Sequence, residues 1–221
     1  MIPLRDNIHP DIIPFVTVTL IAANVGVFVY ELRWTPAELN AWVGLFGMTP
    51  SLFTAAFSTG SLNPAAYFPL VTNLFLHGGW MHIIGNIWFL WLFGSSVEYC
   101  LGHVNFLLFY FVCGIIANLT QVAFDPASTI PIIGASGAIS GILGAYAICF
   151  PRAKIKTLLP LFFIFTIIEI PALAFLAIWF VYQLQSGAAS QSMGGSGIAW
   201  WAHVGGFVSG ALLNRLLLKR K

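Results

Sequence analysis

The chain is predicted to fold as an all-α, polytopic membrane protein: a bundle of six transmembrane helices with a long lateral loop between the first two. Three observations carry this. Hydrophobic residues make up 59% of the 221 positions and charged residues only 7%, where soluble domains carry about 25% charged residues. Six apolar stretches each come close to the roughly 20 residues that cross a bilayer. The basic residues fall almost entirely on one side of those stretches. The length suits a single domain over residues 1–221. A net charge of +2 gives no case for a nucleic-acid partner, so the lipid bilayer is the first partner.

The first span is placed at 12–32, too long for a signal-peptide core and with no A-x-A site after it, so it is read as retained. From Arg33 to Trp80 the chain is rich in apolar residues, among them Trp42, Leu45, Phe46, Leu52, Phe53 and Phe57. Short amphipathic helices lying on the outer leaflet account for this better than a solvated loop does. The second, third and fourth spans are placed at 81–100, 103–123 and 136–150. The fifth apolar run is cut by Pro160, Glu169 and Pro171. We therefore read 155–169 as an interfacial segment and start the span at 170–186, where a proline suits the first helical turn. The sixth span covers 199–218.

With the N-terminus inside, Arg5, Arg152, Lys154, Lys156, Arg215, Lys219, Arg220 and Lys221 are cytoplasmic, and Arg33 alone is outside. Both termini are thus expected in the cytoplasm, with a bacterial inner membrane as the host. Cys100, Cys113 and Cys149 lie in or beside apolar stretches without motif spacing, which reads as reduced packing residues.

This topology makes spans two, four and six run in the same direction. His82 and Asn86 lie in the first turns of span two, Ser136 opens span four, and His203 is about a turn into span six. At about 1.5 Å rise per residue, all four lie within roughly 10 Å of depth near the outer face. Polar groups in hydrocarbon are costly unless paired or used, so their convergence points to a functional site. A serine hydroxyl needs a base to take its proton, and His203 is the candidate. Free N–H groups at the helix start of Ser136 favour a developing oxyanion. His82 and Asn86, four residues apart, share a helical face and can both donate to that oxyanion. With Asp125 in a loop and Glu98 and Glu169 toward the inner face, no acid joins them, and a Ser-His dyad is the reading.

Gly137-x-x-x-Gly141 with Ala145 makes a stripe of small residues on span four, and Ala202-x-x-x-Gly206-x-x-x-Gly210 makes one on span six. Such stripes let helix backbones approach closely, and Gly134 flanks the serine on its other side. The ordinary readings are packing for the glycines and hydrogen-bonding structure for His77 and Glu98. His9 and His103 are placed at the interface, and Trp34, Trp80, Trp200 and Trp201 in an outer aromatic belt. His82 and His203 without a carboxylate or thiolate are a poor zinc set. No metal and no cofactor are expected.

Taken in order, Gly134-Ala135-Ser136-Gly137 and Ala202-His203-x-Gly-Gly, with His77-Gly-Gly-Trp80-Met-His82-x-x-x-Asn86 and Phe93-Gly94-x-x-x-Glu98-x-x-x-Gly102, resemble the rhomboid family of intramembrane serine proteases. Weaker similarity runs through Pro3-Leu4-Arg5-Asp6, Pro151-Arg152-Ala153 and Ile170-Pro171-Ala172. The resemblance implies Ser136 as nucleophile and His203 as base. His82, Asn86 and the Ser136 backbone N–H would form the oxyanion hole, and transmembrane proteins would be the substrates. It also implies a gate at the fifth span or an overlying loop, for which Ser186–Gly197 is suitably rich in small residues. Some members carry a tyrosine four residues after the nucleophile, stacked on the histidine. Ser140 stands there in this chain, and what holds His203 is left open. The main alternative is a catalytically silent rhomboid-like protein that binds membrane clients. A small transporter would need ionisable groups near the midplane, for which only Glu169 is a candidate.

Overall fold

The computed structural model describes residues 1–8, 11–161, 164–192 and 197–217. His9, the basic residues Lys219 to Lys221 and part of the Ser186–Gly197 segment lie outside them. Helices dominate: α1 (Phe15–Glu31), α2 (Pro36–Phe46), α3 (Pro50–Ser58), α4 (Pro69–Thr72), α5 (Trp80–Phe89), α6 (Ser95–Leu101), α7 (His103–Phe124), α8 (Ser136–Cys149), α9 (Ala172–Ser192) and α10 (Trp200–Leu217). A π-helical turn, Leu90–Gly94, joins α5 to α6. By length and composition, α7 and α9 are long and apolar enough to cross a membrane, while α1 and α8 are shorter apolar helices.

The burial pattern of α1 is inverted relative to a soluble helix. Its buried positions Thr17, Leu20, Asn24, Phe28 and Glu31 follow helical spacing and include three polar residues, while Val18, Val25 and Val29 are exposed. Apolar outside and polar inside is the arrangement hydrocarbon favours. The N-terminus of α1 receives the buried carboxylate of Glu98 from α6. Its Oε1 accepts the Val16 N–H at 2.9 Å, and its Oε2 accepts the Thr17 N–H at 2.8 Å and the Thr17 hydroxyl at 2.7 Å. A negative group there complements the helix dipole and occupies donors that lipid cannot satisfy.

Between α1 and α5 the expected short helices are present. Thr35 and Glu38 close a capping box on α2, and prolines open α2, α3 and α4.

The all-α expectation is corrected by a three-stranded antiparallel sheet. Strands β1 (Ile2–Asp6), β2 (Lys154–Leu161) and β3 (Ile164–Pro171) lie in the order β1-β2-β3. The segment read as interfacial is thus a β-hairpin. Its β-branched residues Ile155, Thr157, Ile164, Thr166, Ile167, Ile168 and Ile170 suit a pleated surface. Hydropathy averaging conceals that preference. Asp6 docks the sheet on the bundle, accepting hydrogen bonds from Tyr146 of α8 at 2.7 Å and Ser96 of α6 at 3.1 Å.

Two further corrections follow. Cys100 and Cys149 form a disulfide, with Cys113 free and buried, because α6 and α8 end side by side and bring the Cα atoms within 6.5 Å. Helix α9, the expected fifth span, runs six residues beyond its expected end, to Ser192, so much of the expected flexible cap is helical.

Helices α8 and α10 are in backbone contact. A Cβ added at Gly206 would run into the Gly137 carbonyl oxygen, and one at Gly210 into the Gly141 carbonyl. One at Gly141 would meet Cys113 of α7, and one at Gly137 would come within 2.8 Å of the Ala117 Cβ. Gly144, absent from the expected stripe, packs against the Phe207 carbonyl.

Candidate active site

Three helices begin at one end of the bundle and each delivers polar side chains there. Ser136 is the first residue of α8, His203 the fourth of α10, and His82 and Asn86 the third and seventh of α5. The approach to Ser136 is held from both sides. Met48 and Ile132 exchange backbone hydrogen bonds at 3.0 and 2.9 Å, and the Gly134 N–H donates to the Asn73 carbonyl at 2.8 Å. Asn73 is fixed in turn by a reciprocal amide pair with Asn118 of α7. The height of His203 is set by Gln121 of α7, whose Oε1 accepts the Trp201 and Ala202 N–H groups at 3.1 and 3.2 Å.

His203 Nε2 lies 2.8 Å from Ser136 Oγ. Its other ring nitrogen, Nδ1, lies 2.9 Å from Gln183 Oε1 of α9. The sequence reading missed Gln183. Its signal was an amide in an otherwise apolar run, two residues before a second amide, Gln185, with both inside the expected span. Ser140 takes no part in holding His203: its hydroxyl donates to the Ser136 carbonyl at 2.7 Å.

The donors sit beside the serine. His82 Nδ1 accepts the Gly78 N–H at 3.3 Å, which leaves the ring proton on Nε2. Gly134 has φ +110°, and a Cβ there would fall 2.5 Å from His82 Nε2 and 3.4 Å from Asn86 Nδ2. Gly134 therefore lies against the His82 and Asn86 side chains of α5, where the expected role was packing between helices. Asn86 Nδ2 is buried with no hydrogen-bond partner among the described residues, an amide donor left available for a group that arrives.

Two cavities meet here. One of about 560 Å³ has a mainly apolar wall, with Met81, Ile130, Ile132 and Ile198 in it, and gathers the polar groups of His82, Gln121, Asp125, Ser128, Ser136 and His203. A second, of about 320 Å³, is lined by Phe89, Ile139, Leu143, Trp179, Ser136 and His203 and is largely apolar. A hydroxyl paired with an imidazole, facing oriented N–H donors, is an arrangement that can perform acyl transfer.

A family model described as "Rhomboid domain" matches residues 64–220 of the chain. The chain is similar to Rhomboid protein 1, mitochondrial, of Saccharomyces cerevisiae, with 31% identity over 147 residues, 65% of this chain and 40% of that protein. It is similar to the human presenilin-associated rhomboid-like protein, mitochondrial, with 31% identity over 153 residues, 66% of this chain and 36% of that protein. It also resembles Rhomboid protease GluP of Bacillus subtilis, 42% identical over 76 residues, 34% of this chain and 14% of that protein. The matches thus span less than half the length of each relative. Mitochondrial proteins figure among them beside a bacterial one, so the expectation of a bacterial inner membrane is not supported.

Proposed function

The chain belongs to the rhomboid family of integral membrane proteins, and from that premise we propose that it is an intramembrane serine endopeptidase that cleaves transmembrane protein substrates. The observation that carries the proposal is the 2.8 Å contact between Ser136 Oγ and His203 Nε2. In this reading residues 1–221 form one membrane domain. Helix α1, the α5–α6 pair, α7, α8, α9 and α10 are its six spans, both termini are cytoplasmic, and the site lies near the outer face.

Ser136 Oγ attacks the scissile carbonyl while His203 Nε2 takes its proton. The oxygen that becomes negative is met by the Ser136 N–H, Asn86 Nδ2 and His82 Nε2–H, with the α8 dipole behind them. Collapse of the tetrahedral intermediate breaks the C–N bond, and His203 returns the proton to the departing amine. Water from the larger cavity then hydrolyses the acyl-enzyme by the same proton path.

Labelling with a fluorophosphonate probe in detergent tests the reading. The expected result is labelling of the wild type that is lost in His203→Ala, alongside cleavage of a transmembrane model substrate by the wild type alone. A folded wild type that neither labels nor cleaves would turn the reading to the catalytically silent client binder. For the oxyanion donors, Asn86→Ala and His82→Ala are each expected to lower kcat by about 10²- to 10³-fold with KM little changed. Steady-state kinetics in proteoliposomes checks this, and an unchanged kcat in both removes the assignment.

A further inference from the structure

His203 is gripped at both ring nitrogens, and the second grip comes from Gln183 at the middle of α9. Gln183 is buried, with 3% of the residue exposed. Its amide nitrogen lies 3.3 Å from the Trp179 carbonyl, one helical turn earlier. A carbonyl can only accept, so the group facing Trp179 is the NH₂ and the group facing His203 Nδ1 is the amide oxygen. That oxygen also can only accept. Nδ1 must therefore carry the ring proton, and Nε2 is left with its lone pair toward Ser136.

From this chain of contacts we propose that Gln183 is the positioning residue of a Ser136–His203–Gln183 relay, selecting the imidazole tautomer that can take the serine proton. The inference rests on the reading of Ser136 and His203 as nucleophile and base. It supplies what the absence of an acid leaves open: an orienting partner that is neutral. A neutral acceptor fixes the tautomer, as a carboxylate does in other serine hydrolases. It is also far cheaper to bury among apolar helices than an ion. The Trp179 ring, with its centroid 6.3 Å from that of His203, and the Trp200 ring, edge-on at 6.0 Å, close the imidazole's flanks. The Trp179 residue thus contributes twice, through its backbone carbonyl to Gln183 and through its ring to His203. No tyrosine after the nucleophile is needed to hold the histidine.

An amide between two membrane helices can also serve as packing glue, so the test reads the tautomer as well as the rate. Protein labelled with ¹⁵N-histidine, with the His203 signals assigned by their loss in His203→Ala, reports which ring nitrogen is protonated. The expected result is an Nδ1–H imidazole in the wild type, a mixed or Nε2–H imidazole in Gln183→Met, and Nδ1–H again in Gln183→Glu. The glutamate keeps an acceptor oxygen whether or not it is ionised. In parallel, kcat should fall about 10- to 100-fold in Gln183→Met with KM held, and recover to within about tenfold of wild type in Gln183→Glu. An Nε2–H imidazole in the wild type overturns the proposal even if the methionine variant does not fold. So does a kcat that ignores loss of the tautomer, which leaves the nucleophile and base standing. Cleavage that survives Ser136→Ala is a different failure: it overturns the reading of Ser136 itself, and the relay falls with it.

Discussion

Ser136→Ala is expected to lower cleavage of a transmembrane substrate by about 10⁴-fold or more, in a protein that melts like the wild type. The size follows from the chemistry: without Oγ no acyl-enzyme forms, and what remains is the stabilisation given by the oxyanion donors and substrate binding. The unchanged stability follows from the local structure. Oγ pairs with His203 Nε2, whereas the Ser140 hydroxyl reaches the backbone carbonyl of Ser136, which alanine keeps. The α8 start, with Gly134 tied to the Asn73 carbonyl, does not depend on the hydroxyl. Cleavage rates in proteoliposomes, with thermal unfolding in the same detergent, check both halves. A rate within about tenfold of wild type would remove Ser136 as the nucleophile.

Gly206→Ala is expected to cost about 100-fold in kcat although it touches neither Ser136 nor His203. The added methyl would run into the Gly137 carbonyl oxygen, with the Gly137 carbonyl carbon at 3.1 Å and the Ser140 Cβ at 3.2 Å. These are largely backbone atoms, so no side chain can rotate aside, and α8 and α10 must move apart. The serine and its base ride on those two helices, and a misplacement of about 1 Å can cost about 10²-fold. The same separation lowers the melting temperature, since close approach is what holds small-residue interfaces together in lipid. Gly26→Ala on α1, where a Cβ meets nothing within 4 Å, serves as the control and should change neither quantity. Wild-type kcat in Gly206→Ala would show that the interface yields without disturbing the pair.

What the sequence made legible was set by the kind of signal each part carries. Hydropathy located helices at each expected span, with the longest disagreement at α9, where Ser186 to Ser192 is too polar for a span yet continues the helix. Depth arithmetic on His82, Asn86, Ser136 and His203 brought the four to one end of the bundle, because helix rise is nearly invariant. The sheet was missed for the opposite reason. Apolar strands and apolar interfacial segments have the same mean hydropathy, and β1 pairs with β2 across about 150 residues of chain, which no local pattern encodes. The Cys100–Cys149 bond depends likewise on which helix ends meet. Gln183 was legible only in part. A buried amide in a span is a flag, but its partner was determined by how α9 turns toward α10.

The π-helical turn at Leu90–Gly94 has a further consequence for the α5–α6 helix. Above it, His82 and Asn86 turn toward Ser136; below it, Glu98 turns toward the start of α1. A continuous α-helix locks the azimuths of its two ends together at about 100° per residue. The wider turn breaks that lock by inserting a phase offset, so one rod has two independent headings. The chemistry at one end and the anchorage at the other can each be aimed where they are needed, and the register between them is stored in five residues.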